Sequence, residues 1–312
     1  MATSSEINYR LIANVRDEPK QMLQPIAGYE KEPLLSLEDA CKPLENIVNE
    51  ELQQNIMIAK INSKESINGL SQDESASIHL YTMEWTEHEN SLYAVLNRTL
   101  RMVDRRKLRP WFKYLKLLLT ALFKLPSSGH RIVYRGVPED LHDRFSKGEN
   151  ITWWAFSSCT SSISVLESPD YVGTSGTRTM FNIETSSGKF IQLHSYFRHE
   201  DEILLPPGIH FQVVDKFSPN KGLYIIHLRE TPPPFKLLAD PFDLSQIKTA
   251  LPESTPSSNM SSIEKKQEHG SPSAPSKLTE YSTAKKEKLP IDVPKKNSPY
   301  SDKKLRKNYA FI

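Results

Sequence analysis

The sequence predicts an α+β fold in which a helical region comes first and a β region follows. Between Ser36 and Leu125, apolar residues recur at spacings of three and four, the period of a helix with one buried face. After Gly129 the chain changes to short segments rich in β-branched and aromatic residues, which are typical of strands. Helices followed by strands, with no internal repeat, indicate an α+β domain.

The helical region contains four predicted helices. They cover 37–52, a segment that begins at Ser71, 91–103 and 110–125. Ser71 and Glu74 predict a capping box, in which each side chain bonds the free backbone N–H of the other residue at the helix start. Pro110 suits a first helical turn, and Pro126 with the Ser-Ser-Gly that follows it ends the last helix.

The β region contains five predicted strands, each rich in β-branched or aromatic residues. They cover 131–137, 178–184, 189–194, 210–214 and 223–228. The last two are joined through Ser218-Pro-Asn-Lys-Gly222, which suits a hairpin connection.

Composition excludes several classes of protein. The 312 residues include 40 Lys and Arg against 38 Asp and Glu, and this small net charge of +2 argues against a dedicated nucleic-acid binder. Two cysteines, Cys41 and Cys159, are too few for a disulfide framework or a four-cysteine zinc site. No signal peptide is evident, and the longest apolar stretch, 115–125, is shorter than the ~20 residues of a membrane span. We therefore expect a soluble protein of the cytoplasm or the nucleus.

Three segments are expected along the chain. Residues 1–35 form an N-terminal extension that we expect to be flexible, and residues 36–240 form one domain, helical over 36–126 and β over 130–230. The Lys-, Pro- and Ser-rich tail, 245–312, has 12 Lys and 1 Arg against 7 acidic residues. It buries too little apolar surface to offset its chain entropy, so we expect it to be disordered. Its basic clusters suit anionic partners, and a solvated tail without a partner is the alternative.

The first pattern that suggests chemistry is Tyr134-Arg135-Gly136, at the end of the first strand. Arg135 lies among apolar residues on a stiff element, so its guanidinium is a fixed two-pronged donor that suits a phosphate. Gly136 leaves room for a ligand to approach the backbone. An arginine in a surface ion pair is the alternative interpretation.

The second pattern is Trp153-Trp154-Ala-Phe156, followed by Ser157-Ser158-Cys-Thr-Ser. Aromatic rings stack on a flat ligand, and hydroxyls orient a ligand or a carboxylate. A buried strand that ends in a serine-rich turn explains the same residues equally well.

The third pattern is Glu200-Asp201-Glu202, which precedes the apolar residues 203–205. If this segment is extended, Glu200 and Glu202 point to the same face. Two such carboxylates suit the stabilisation of a sugar cation and the handling of an incoming nucleophile. A solvated acidic loop is the alternative. No spacing of histidines or cysteines fits a metal site, so we expect no metal.

In this order, the three patterns resemble the arginine-specific mono-ADP-ribosyltransferases. That family is recognised by an arginine on a first strand, an aromatic-x-Ser-Thr-Ser-like strand and a Glu-x-Glu loop. Tyr134-Arg135-Gly136 matches the first motif, Phe156-Ser-Ser158-Cys-Thr160 the second and Glu200-Asp-Glu202 the third. The resemblance implies the ADP-ribosyltransferase fold, in which N-terminal helices pack on a mixed or antiparallel core of two sheets.

The resemblance also implies an activity. Such an enzyme cleaves the bond between nicotinamide and ribose in NAD+ or NADP+ and transfers ADP-ribose to an arginine of an acceptor protein. Its transition state resembles an oxocarbenium ion. An NAD glycohydrolase, with water as the acceptor, and a catalytically inactive interaction module are the alternatives.

The resemblance assigns roles to five residues. Glu202 is expected to stabilise the ribose cation, Ser158 to hold Glu202 in place, and Glu200 to receive the acceptor guanidinium. Arg135 is expected to bind the phosphates of the co-substrate, and the Gly136 backbone is expected to bind the nicotinamide amide. Ser158 and Glu202 therefore belong both to the predicted catalytic residues and to the predicted co-substrate site.

Overall fold

In the computed structural model, which describes residues 8–12, 15–64, 68–168 and 171–242, helices precede strands along the chain. The α-helices in these residues are α1 (Leu37–Cys41), α2 (Leu52–Asn62), α3 (Gln72–Thr82), α4 (Leu92–Leu100), α5 (Phe112–Lys124) and α6 (Ile163–Leu166). The strands in them are β1 (Arg131–Val137), β2 (Asn150–Trp153), β3 (Ser157–Thr160), β4 (Arg178–Thr185), β5 (Lys189–Phe190), β6 (Glu202–Leu205), β7 (Ile209–Asn220) and β8 (Leu223–Glu230). The predicted α+β class is confirmed. The predicted disordered tail, 245–312, lies outside the described residues.

The first predicted helix, over 37–52, is interrupted. Helix α1 ends at Cys41, a 3-10 turn follows over Lys42–Leu44, and α2 begins only at Leu52. Pro43 lies in that turn and lacks the N–H that a continuing α-helix needs. Leu44 and Leu52 stay buried, so the predicted apolar stripe still faces the core.

Helix α3 begins at the predicted capping box. Ser71 Oγ accepts a hydrogen bond from Glu74 N at 3.2 Å, and Glu74 Oε2 accepts one from Ser71 N at 2.9 Å. The helix packs on α5, where Tyr114 donates its hydroxyl to Ser77 O at 2.9 Å. Because nearly every residue of α3 is buried, its last residue, Thr82, has a fixed position beside the site described below.

The strands form one continuous mixed sheet of eight strands in the order β2-β7-β8-β4-β1-β3-β6-β5, whereas we expected two sheets. Among the strands of the described residues, β4 and β8 form the one parallel pair. Strands β1 and β3 share a single registered pair, Tyr134 with Thr160. This pair joins a five-stranded part to a three-stranded part. The sequence pattern predicted five of these eight strands and missed β2, β3 and β6. Strand pairing depends on contacts between distant segments, which the pattern does not show.

The predicted strand over 189–194 is shorter than expected. Strand β5 ends at Phe190, and residues Gln192–His194 form a 3-10 turn. This turn brings His194 to α3, where its Nδ1 lies 2.9 Å from Ser75 Oγ in a buried contact. The chain therefore leaves the sheet to make a contact with a helix that lies far away in sequence.

The predicted hairpin between the last two strands is present, with a shorter loop. Strand β7 ends at Asn220 and β8 begins at Leu223, so Lys221 and Gly222 form the connection. Gly222 has a φ of +82°, a left-handed conformation that glycine adopts without strain.

The N-terminal extension is ordered where it is described, contrary to the expectation of flexibility for residues 1–35. Leu23, Ile26 and Tyr29 are buried in the same core as the helices. Ile26 N donates to Leu237 O at 2.8 Å, so backbone bonds also tie the extension to the end of the domain. Burial of a few widely spaced apolar residues orders a segment that has no helical or strand period. No helix within the described ranges has the length and apolar character of a membrane span.

Acid is expected to destabilise the fold through His79, a buried residue of α3. Burial, and next the positive charge of Arg198, lowers the pKa of His79 to about 4, and Asn62 Nδ2 lies 3.2 Å from its Nε2. Between pH 6.5 and 4 the unfolded chain binds a proton at this position and the folded chain does not. The contribution of His79 to the free energy of unfolding should therefore fall by about 3 kcal/mol over this range. Urea unfolding of His79→Gln should show a smaller fall, and identical pH profiles would contradict the prediction.

Candidate active site

Arg135 lies on β1 with its guanidinium buried beside β3. Its Nη1 donates to Ser158 O at 2.5 Å and to Arg10 O at 2.7 Å. Burial lowers the pKa of Arg135, yet an arginine side chain keeps its proton in proteins. The first and second sequence patterns therefore meet at a charged guanidinium of fixed orientation.

The second and third patterns meet through the pairing of β3 with β6. Ser158 is opposite Leu204, and Thr160 is opposite Glu202. Because paired residues and residues two positions apart share a face of the sheet, Ser158 and Glu202 lie on the same side. The antiparallel register thus brings together residues that are far apart in the sequence.

Glu202 is buried and is not held by Ser158 as expected. Its Oε2 accepts hydrogen bonds from Arg10 Nη2 at 2.7 Å and from Ser195 Oγ at 3.3 Å. Arg10 Nε also donates to Glu202 Oε1 at 3.3 Å. Within the described part of the chain, the buried Ser158 hydroxyl has no hydrogen-bond partner. Arg10 and Ser195 hold the carboxylate in place of the expected serine.

Glu200 lies in a turn and not in an extended segment. Glu202 N donates to Glu200 O at 2.8 Å, which bends the chain between the two glutamates. The half-buried Glu200 carboxylate accepts hydrogen bonds from Asn8 Nδ2 at 2.5 Å and from the Tyr171 hydroxyl. The segment is therefore not extended from Glu200 to Glu202, which was the condition for the two side chains to share one face, because β6 begins only at Glu202.

Gly136 is needed for packing in this structure. A Cβ at this position would lie 2.3 Å from Val172 Cγ2 and 3.4 Å from Met180 Sδ. The absent side chain lets the segment that carries Val172 approach β1. The space beside Gly136 is thus filled by protein, and its role toward nicotinamide stays a prediction.

A cavity of about 530 Å³ lies beside these residues, within the usual size of ligand pockets. Its wall includes Arg10, Arg98, Arg101, Arg135, Tyr81, Phe156, Ser158, Asp17 and Glu89. Arginines outnumber acidic residues in this wall, so its charge suits an anionic ligand such as a pyrophosphate. Glu202 does not reach the wall, whereas Arg10, which is bonded to it, does.

Two further residues of the site have no signal in the sequence. Ser195 donates to Glu202, as described above. Glu18 is buried, and its carboxylate accepts hydrogen bonds from Trp154 N at 2.6 Å and from Arg101 Nε at 2.7 Å. It thereby fixes the aromatic segment before β3 to an arginine of the cavity wall. Among the described residues, no cluster of three or more His, Cys, Asp or Glu side chains could hold a metal ion.

Comparisons with known proteins agree with the three sequence patterns. The family model for NAD:arginine ADP-ribosyltransferases matches residues 31–232. The chain is 35% identical over 116 residues to the Mycobacterium avium (strain 104) protein Mav, named as an NAD(+)–arginine ADP-ribosyltransferase, covering 36% of this chain and 14% of that protein. It is 33% identical over 122 residues to the GPI-linked NAD(P)(+)–arginine ADP-ribosyltransferase 1 of Mus musculus, covering 38% of this chain and 36% of that protein.

A solved structure, that of the eucaryotic mono-ADP-ribosyltransferase ART2.2, aligns with a TM-score of 0.49 at 18% identity, over 69% of this chain and 98% of that one. The matches to the two curated relatives span well under half the length of either. The family model, by contrast, matches well over half of this chain. The chain therefore belongs to the NAD:arginine ADP-ribosyltransferase family.

Proposed function

We propose that this protein transfers ADP-ribose from NAD+ or NADP+ to an arginine side chain of an acceptor protein and releases nicotinamide. The observation that carries the proposal is the convergence of Arg135 and Ser158 in the wall of a cavity rich in arginine, with Glu202 bonded to Arg10 of the same wall. Three residues from three separate strands meet there. Membership of the family supports the same conclusion.

The proposed reaction replaces one bond to ribose with another. The bond between ribose C1′ and the nicotinamide nitrogen breaks, and its electron pair leaves with nicotinamide, which takes no proton. A nitrogen of the acceptor guanidinium then bonds to C1′ and loses one proton. The transition state carries positive charge on the ribose, and a carboxylate aimed at developing charge stabilises it by about 3 kcal/mol. Glu202 supplies that carboxylate in this proposal.

Arg98, Arg101 and Arg135 of the wall would bind the pyrophosphate of the co-substrate. A guanidinium donates two parallel hydrogen bonds to phosphate oxygens, and Arg135 is oriented for this by its bond to Ser158 O. The unpartnered Ser158 hydroxyl fits a ligand or a freed Glu202 as its missing partner. The Gly136 backbone would contact the nicotinamide amide, as the family resemblance implies.

Glu200 is suited to the acceptor arginine. Its carboxylate is half-buried, whereas Glu202 is 1% exposed, so a protein side chain can reach Glu200 from the surface. A guanidinium is protonated in water and its nitrogen is a poor nucleophile. A carboxylate that orients it and takes its proton late in the reaction addresses this difficulty.

Labelled co-substrate tests the proposal directly. NAD+ labelled in the adenosine is incubated with the protein and an arginine-containing peptide, and in parallel with the same peptide carrying lysine. We expect label on the arginine peptide alone and nicotinamide release in both mixtures. Nicotinamide release without labelled peptide would identify a glycohydrolase, and intact NAD+ would identify an inactive interaction module.

Replacing Ser158 with alanine should lower activity without lowering stability. The buried hydroxyl has no hydrogen-bond partner, so its removal breaks no bond of the folded protein. The rate of nicotinamide release should fall about 10-fold, the effect of one lost hydrogen bond in the transition state. The free energy of unfolding, measured with urea, should stay within about 0.5 kcal/mol of the wild-type value. A clear loss of stability with full activity would contradict the assigned role.

We also propose an intracellular location and an anionic partner for the basic tail. Both cysteines are buried thiols, as a reducing compartment allows. Cell fractionation checks the location, and recovery of the protein in the medium would contradict it.

Binding of the full chain to anionic vesicles should weaken when the tail lysines are replaced by glutamine, and unchanged binding would exclude the tail as the contact.

A further inference from the structure

We propose that residues 8–12, here called the N-terminal plug, occupy the co-substrate site and must leave it before NAD+ can bind. The plug is one turn of 3-10 helix, Tyr9–Leu11, preceded by Asn8. This inference rests on the proposed function of the site. It adds that the free protein is held in an inhibited state by its own chain.

The contacts of the plug coincide with the predicted site residues. The Arg10 guanidinium bonds both oxygens of Glu202, and Arg135 donates to the Arg10 backbone oxygen. The Asn8 amide bonds Glu200. Three of the charged groups assigned to catalysis and co-substrate binding are therefore engaged by two side chains and one carbonyl of the plug.

Arg10 lies in a site built for a cation. Its Nη1 lies 3.9 Å from Glu84 Oε1 and bonds the oxygen of Thr82 at the end of α3, where carbonyl groups point outward. Its guanidinium carbon lies 5.7 Å from the ring centre of Tyr93 and 5.3 Å from that of Phe197. Burial disfavours its charge and is the largest single effect, but the attraction and hydrogen bond of Glu202, together with the charge of Glu84, raise the pKa of Arg10.

The plug resembles the proposed co-substrate in charge. Its guanidinium places a positive charge at Glu202, where the ribose becomes positive in the proposed reaction. Its carbonyl oxygen lies on Arg135, which would otherwise face a phosphate oxygen. The two groups occur on one residue, so a single side chain and its backbone contact both Glu202 and Arg135. NAD+ and the plug therefore exclude each other.

Displacement of the plug has a modest energetic cost. A buried ion pair contributes little net stability, because the desolvation of both charges offsets their attraction. A ligand that brings its own cation and phosphates replaces these contacts. Leu11 is buried with Leu166, Val172 and Met180 and holds the plug at its C-terminal end. The apparent affinity for NAD+ is then the intrinsic affinity multiplied by the fraction of molecules with an open site.

The first test measures binding of a non-hydrolysable NAD+ analogue to full-length variants. Arg10→Met keeps an apolar stem of similar length and removes the charge. It should lower the Kd for the analogue, and the KM for NAD+, by about 10-fold or more without changing kcat. Arg16→Met is the matched control, because Arg16 is exposed and pairs with Glu139 outside the site. Equal Kd values for wild type and Arg10→Met would contradict the proposal that the plug blocks the site.

The second test uses the wild-type protein, so its result does not depend on whether a variant folds. Trypsin should cleave slowly after Arg10, whose side chain is 1% exposed, and quickly after Arg16, which is 60% exposed. Saturating analogue should accelerate release of the 1–10 fragment and leave cleavage after Arg16 unchanged. Protection of Arg10 that persists with bound analogue would overturn the plug. If neither the wild type nor any variant binds the analogue, both the plug and the proposed function are wrong. If all of them bind it equally well, only the plug is wrong.

Discussion

Glu202→Gln is expected to lower both nicotinamide release and transfer to arginine by about 10²- to 10³-fold. Glutamine keeps the size of the side chain and removes the charge that opposes the positive ribose of the transition state. Release of nicotinamide and labelling of an arginine peptide, measured at saturating NAD+, check the prediction. Both should fall together, because both outcomes follow the same bond cleavage.

The same variant should bind the non-hydrolysable analogue at least as well as wild type. Neutral glutamine loses the charge-assisted bonds to Arg10, so the plug is released more easily. Asp201→Asn is the matched control, since Asp201 is exposed between the two glutamates and should keep full activity. A Glu202→Gln protein that binds the analogue and still releases nicotinamide at the wild-type rate would refute the role of Glu202.

Glu200→Gln is expected to separate transfer from hydrolysis. Transfer to the arginine peptide should fall by about 10²-fold or more, because the acceptor loses the group that orients it and takes its proton. Nicotinamide release to water should change far less, since Glu202 and Arg135 are untouched. The ratio of labelled peptide to released nicotinamide is the measurement that tests this role.

The variant also removes the charge that Asn8 and Tyr171 bond in the free protein. A change in plug position alone would alter the KM for NAD+ and leave the ratio of transfer to hydrolysis unchanged. A fall in the ratio at saturating NAD+ therefore reports on the acceptor. An unchanged ratio would show that Glu200 has no part in receiving the guanidinium.

Local patterns predicted the strand that carries Arg135 and the start of the helix that packs beside the site. The capping box of Ser71 and Glu74 and the first strand, 131–137, are present with the predicted residues. These features depend on near neighbours in the chain, whose spacing the sequence shows directly. The interruption at Pro43 was also readable in principle, because proline lacks the helical N–H. We predicted one helix because the apolar spacing continues through Pro43 without a break.

Contacts between distant segments gave no local signal. Arg10 and Glu202 are 192 residues apart in the sequence, and Glu18 lies 136 residues from the Trp154 amide that it binds. Ser195 is close to Glu202 in sequence, but only the turn before β6 aims its hydroxyl at the carboxylate. No period or spacing marks such residues, since each depends on where the folded chain returns.

The sequence by itself determined the α+β class, the identity of most strands and the residue types of the site. Periodicity, capping and residue chemistry depend on residues that are close together in the sequence, so they do not show contacts between distant segments. Tertiary structure alone decided that the strands join into one sheet, that Ser195 and not Ser158 bonds Glu202, and that Arg10 also bonds this carboxylate. The reason is physical: side chains such as Arg10 are buried only where segments remote in sequence supply the opposite charge, the carbonyl oxygen and the rings around them.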